Sequence, residues 1–157
     1  MPVYLITLHA YGTWLPDRKQ GSVHWRRGLQ GKSDSLARAY RRKQRQAPAE
    51  FDVLTQNHIA NEFQSAAPHQ GFTAYAAALD PTHVHLLLGW RGDRSASRMR
   101  INLKHSLTQR LNREVRRRTW FSKGGHEKRV HDPQHMALLR ETYLPSHLGV
   151  TWDCDRE

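Results

Sequence analysis

The residues with the most chemical reach in this chain are two histidines and a tyrosine. His83-Val84-His85 opens an apolar run, Leu86-Leu87-Leu88. On a strand, alternate side chains share a face. His83 and His85 therefore project together, and Val84 projects away. Two imidazoles so placed are half of a site for a borderline divalent metal, for which imidazole nitrogen is a good ligand. Partly exposed histidines without a ligand are the plainer alternative in a chain that has 11 of them. There is no Gly-x-Ser-x-Gly and no glycine-rich phosphate loop. The one cysteine, Cys154, lies near the C-terminal end. Among Ser, Thr and Tyr, Tyr143 stands out as a nucleophile because it falls late in an amphipathic segment, with His147 four residues on. The competing reading is an aromatic anchor in the core.

Charge points to the partner. Lys+Arg number 25 against 14 Asp+Glu, a net +11 over 157 residues. Such an excess suits a polyanion, nucleic acid ahead of an anionic membrane. Residues 36–46 carry Arg41, Arg42 and Lys43 with no acid nearby, and residues 95–118 carry Arg98, Arg100, Lys104, Arg110 and Arg113 against the single acid Glu114. These eight are the candidate DNA-contacting cations, with a solvated charged face as the alternative. Trp25, beside His24 and Arg26, could stack on a base or cover the core. A lone cysteine excludes an internal disulfide and fits a reducing compartment. The start has no basic signal-peptide region, and no stretch approaches the ~20 apolar residues of a membrane span. The expectation is a soluble cytoplasmic protein with no membrane association.

The elements that must position these groups follow from pattern. Residues 3–8 read as a strand. Residues 17–50 read as a basic loop-and-helix insertion closed by Pro48. Residues 53–67 read as a helix stopped by Pro68 and Gly71. In residues 72–79 four alanines favour a helix. The alternation Thr73, Tyr75, Ala77, Leu79 before the Asp80-Pro81-Thr82 turn favours a strand instead. Residues 83–90 are its hairpin partner. Residues 95–118 read as a long helix with a Met99, Leu103, Leu107, Leu111 stripe, and residues 127–131 as a short strand. Asp132 and Pro133 are a helix N-cap and first position, and Pro145 ends that helix. The expectation is one domain, 1–157, of α+β class: an antiparallel sheet with helices packed on one face.

Thr82-His83-Val84-His85-Leu86 resembles the HUH motif (His, bulky apolar residue, His) of single-tyrosine transposases, in particular the REP-associated branch. Tyr11-Gly12-Thr13-Trp14-Leu15-Pro16, followed by Gly21-Ser22-Val23, resembles that family's N-terminal segment. Trp120-Phe121-Ser122-Lys123-Gly124 resembles the stretch before its last strand, and Tyr143-Leu144 its nucleophile position. The resemblance implies a ferredoxin-like fold. It implies Mg²⁺ or Mn²⁺ held by His83 and His85, with His147 at the position of the third ligand. It further implies single-stranded or hairpin DNA cleaved and rejoined through a 5′-phosphotyrosine on Tyr143, and homodimers in some members.

Two positions depart from that pattern. Thr82 stands where Asn is common, which alters a turn contact. Pro145 lies between Tyr143 and His147, and an unbroken helix through it costs about 3 kcal/mol. Either His147 reaches the metal from a non-helical turn or it is no ligand. Two alternatives stay open on the residues alone. One is a nucleic-acid-binding protein on the same fold that does not cleave. The other is a metal-dependent hydrolase, for which Asp80 is the nearest acid in sequence.

Overall fold

A hairpin of two apolar strands organises the molecule. In the computed structural model, which describes residues 1–13, 22–24, 28–30, 35, 38 and 46–156, β1 spans Val3–His9, β4 Thr73–Leu79, β5 His83–Gly89 and β6 His126–Val130. The helices α1 (Val53–Gln70) and α2 (Ala96–Glu114) connect β1 to β4 and β5 to β6. The sheet order is β6-β1-β5-β4, followed by β7 (Thr151–Asp153), and every pairing is antiparallel. The first four strands and two helices make the βαββαβ ferredoxin-like arrangement. A separate two-stranded ribbon, β2 (Ser22–His24) with β3 (Gly28–Gln30), lies within the 17–50 insertion. Trp14 to Gly21, Trp25, Arg41, Arg42 and Lys43 lie outside the described residues, as does most of the expected 36–46 helix.

Strand alternation divides the core in two. Ile6, Leu8, Val84, Leu86 and Leu88 face α1 and α2, meeting Ile59 and Phe63 from the first helix and Met99, Leu103, Leu107 and Leu111 from the second. Leu5 and Leu87 face the other way and pack with Leu139 and Leu144 of the C-terminal helical segment. The two long helices thus cover one face, and the last helix adds a short layer on the other. In β4 a bulge between Ala74 and Ala76 breaks the simple alternation. Tyr75 therefore joins Ala76 and Ala78 on the second face, while Ala77 and Leu79 stay on the first.

Element boundaries depart from the sequence expectation for identifiable reasons. α1 runs through Pro68 to Gln70, because a proline in the last turn deletes only one backbone bond. Gly71, at φ 70°, then closes the helix with its own N–H and that of Phe72 on Ala67 O. α2 stops at Glu114 rather than Arg118, since the Asn112 side chain accepts from Arg118 N–H and Trp120 Nε1 and turns the chain away. β7 was not expected. It is three residues long and exists through its pairing with Ala76–Ala78. Arg140 clamps it to the last helix, holding both Asp153 and Asp155. Among the described residues no helix is long and apolar enough to cross a membrane.

Candidate metal centre and nucleophile

β5 delivers the two histidines as period-two geometry dictates. His83 and His85 lie on the face of Leu87, and Val84 is buried on the opposite face. Across the ladder His83 pairs with His9 and His85 with Thr7.

The third imidazole arrives through an irregular helix. Asp132 caps α3 (Pro133–Leu138) by accepting from His135 N–H, with Pro133 in the first turn. The helix then widens to a π-turn over Leu139–Tyr143, with Leu144 N–H bonded to Leu139 O, and tightens to a 3₁₀ turn over Leu144–Ser146. Leu144 remains helical before Pro145, at φ −65° and ψ −43°. The regular ladder that Pro145 would interrupt has already been replaced by the wide turn and then the tight one. His147 leaves in extended backbone. Its ring folds back so that Nδ1 lies 3.0 Å from Tyr143 O and 3.1 Å from Leu144 O. The segment behind it is wedged in place. Val150 N–H donates to Gln56 Oε1, Leu79 N–H donates to Val150 O, and Gly149 sits where a Cβ would come within 1.7 Å of Leu79 O.

Of the sequence-designated ligands, His83, His85 and His147 are brought together, each offering a ring nitrogen within 4.8 Å of the others. In all three rings Nδ1 is engaged by oxygen: Thr82 Oγ1 at 3.1 Å from His83, Thr7 Oγ1 at 2.8 Å from His85, and the two carbonyls at His147. A carbonyl only accepts, so His147 carries a proton on Nδ1, and in the neutral ring the lone pair lies on Nε2. Engaging one ring nitrogen to orient the other is how proteins set up imidazole for metal. Thr82, the departure from the usual Asn, supplies one of these contacts. Burial, followed by the neighbouring His83, His147 and His9, pushes the His85 pKa down to about 3, so that ring is neutral at physiological pH. These three residues could hold a metal ion, and imidazole nitrogen suits a borderline divalent metal better than Mg²⁺, which prefers oxygen.

The Tyr143 hydroxyl lies 3.4 Å from His85 Nε2, and its ring meets the His147 ring edge-on at 5.0 Å between centroids. The tyrosine is 41% exposed, so a substrate can reach it.

Asp80, in sequence only the nearest acid to the histidine pair and outside the expected ligand set, stands at the site. Its Oδ2 is 3.3 Å from His83 Nε2 and 3.9 Å from His147 Nε2, and its Oδ1 accepts from Gly149 N–H at 3.4 Å. The hairpin turn that separates it from His83 in sequence closes with Asp80 N–H on His83 O, which brings the carboxylate back over the site.

The cations expected along α2 sit elsewhere. That helix packs on the opposite face of the sheet from the histidines. Arg100 bonds Gly125 O and Glu127, Lys104 bonds Ser122 O and Gly124 O, Arg110 pairs with Glu62, and Arg113 pairs with Glu114. Burial and then Arg100 push the Lys104 pKa down to about 8. Arg98 stands at the start of the helix, where its N–H caps onto Ser95.

No protein-family model matches this chain, and no curated protein matches it in sequence. Among solved structures it is similar to one described as the structure of a REP-associated tyrosine transposase bound to a REP hairpin. The two are 10% identical, with a TM-score of 0.47, and the match covers 86% of this chain and 59% of that one. The chain thus spans about six-tenths of that neighbour's length.

Proposed function

We propose that this protein is a metal-dependent strand transferase that cleaves and rejoins single-stranded DNA, at hairpin-flanked sites, through Tyr143. The observation that carries the reading is the Tyr143 hydroxyl 3.4 Å from Nε2 of His85, within a cluster of three imidazoles oriented through their Nδ1 atoms. The resemblance of residues 82–86 and 143–144 to the HUH motif and its tyrosine supports it. His83, His85 and His147 would hold the metal, with the Asp80 carboxylate beside them. A divalent ion there supplies Lewis-acid polarisation of a phosphate oxygen.

The chain's own residues do the rest. Tyr143 Oη forms a bond to phosphorus as the P–O3′ bond breaks. The phenolic proton leaves to solvent, and O3′ departs as a free hydroxyl after taking up a proton. The 5′-phosphotyrosine conserves the phosphodiester bond, so a 3′-hydroxyl can reverse the step without ATP. Wedging of Gly149 against Leu79, with Arg140 clamping the helix to β7, fixes Tyr143 relative to the sheet.

The test is incubation of a labelled hairpin oligonucleotide carrying a single-stranded flank with the protein and Mn²⁺. Cleavage by the parent chain, and none with Tyr143→Phe or with EDTA, is the expected result. A Tyr143→Phe protein that cuts as fast as its parent refutes the proposal.

A further inference from the structure

Two depressions meet at Tyr143, and they differ in charge. One, about 940 Å³, lies over the Asp80–His83 turn and is flanked by Val53 and Leu148; among the described residues no Lys or Arg lines it, and it contains the Asp80 carboxylate. The other, about 540 Å³, lies between β6 and the last helix. It is lined by His126, Lys128 and His135, over a floor that includes Leu5, and among the described residues no acid lines it. Strand register explains this set. In β6, His126 and Lys128 pair with Thr7 and Leu5 and share the metal-site face, while Glu127 turns to the other face and meets Arg100.

We infer that the groove between β6 and the last helix is the track for a single-stranded DNA segment adjoining the scissile phosphate, with Lys128 as its principal phosphate contact. The inference rests on the strand-transfer reading above and adds where the strand lies. Three features favour this occupant. The groove opens directly on the nucleophile, since Tyr143 and His85 line its inner end. Lys128 and His126 are presented by an edge strand, on which alternate residues recur about every 7 Å, a step comparable to one nucleotide of an extended strand. Leu138, 57% exposed on the helix side, offers an apolar surface to a base beside the Lys128 ammonium. The arginines of α2 cannot serve this segment. They lie across the sheet, and several are already paired.

The test uses the full chain in EDTA, where no cleavage occurs, and a fluorescein-labelled single-stranded oligonucleotide read by anisotropy. Lys128→Glu is expected to weaken binding about tenfold. Lys128→Ala is expected to make the slope of log affinity against log salt shallower by about 0.7, the loss of one single-strand phosphate contact. Arg113→Glu, on the far face, is expected to bind like the parent. Mn²⁺ titration of each variant, expected to be unchanged, shows that the site has kept its fold. Parent-like binding by Lys128→Glu, with weakened binding by Arg113→Glu, overturns the groove assignment and leaves the strand-transfer reading standing. A parent chain that binds no single-stranded DNA at all overturns both.

Discussion

Replacing Thr7 with valine removes one oxygen and almost no volume, and it strikes the candidate metal centre without replacing any of its three histidines. His85 is 7% exposed, and its Nδ1 lies 2.8 Å from Thr7 Oγ1 on the neighbouring strand. With valine there, β1 keeps a β-branched residue suited to its strand, but in the tautomer that frees Nε2 for a metal the buried Nδ1–H loses its acceptor. An unsatisfied buried donor costs about 1–3 kcal/mol, so urea unfolding of the metal-free protein should show a loss in that range. The ring can escape by moving its proton to Nε2. That tautomer, however, withdraws the lone pair facing Tyr143, and loss of such an orienting contact lowers metal affinity about 10- to 100-fold. Titration with Mn²⁺, followed by the signal of the free ion, reads the affinity directly, and Thr7→Ser, which keeps the hydroxyl, should restore most of it. If Thr7→Val binds Mn²⁺ as tightly as the parent while losing stability, Nε2 of His85 is not a ligand and the reasoning fails.

Three further outcomes follow from the same geometry. Gly149→Ala drives a methyl toward Leu79 O at 1.7 Å and should cost about 3 kcal/mol or more in unfolding experiments; a near-neutral effect would mean that the His147 segment is not wedged there. Asp80→Asn should weaken Mn²⁺ binding by about tenfold or more, and unchanged affinity would assign Asp80 to the turn alone. His85 ties stability to pH. Its pKa falls from 6.5 unfolded to about 3 folded, so between those values the unfolded chain takes up a proton that the native one does not. The contribution is whole above pH 6.5 and is lost as pH falls toward 3, amounting to about 2 kcal/mol by pH 5. Urea midpoints at pH 7.5 and 5 test this in the metal-free protein, and His85→Asn should flatten the difference.

The parts of this site that rest on local period were legible in the sequence. Alternation places His83 and His85 on one face whatever the strand pairs with, and Asp132-Pro133 starts the last helix by backbone chemistry alone. What needed tertiary contact was not legible. The leucine stripe of α2 shows that the helix buries a face, yet nothing in it says which side of the sheet receives that face. The Arg100, Lys104 and Arg110 partners are residues distant in sequence. β7 is a strand only because β4 has a free edge beside it. Pro145 looked like an obstacle because a regular helix was the reference; the π-turn before it removes that reference. Asp80 was visible as the nearest acid, but only the closed turn shows its carboxylate reaching two imidazoles.

The central claim is that Tyr143 becomes covalently joined to DNA. A 5′-labelled DNA bears its label upstream of the cut and would miss the adduct, so the label belongs on the 3′ side of the cleavage site. With hairpin DNA so labelled and Mn²⁺, the account predicts a band that is retarded on a denaturing gel, collapses on protease treatment and maps by mass to the peptide containing Tyr143. Cleaved DNA that migrates freely, with no protein attached, would contradict it.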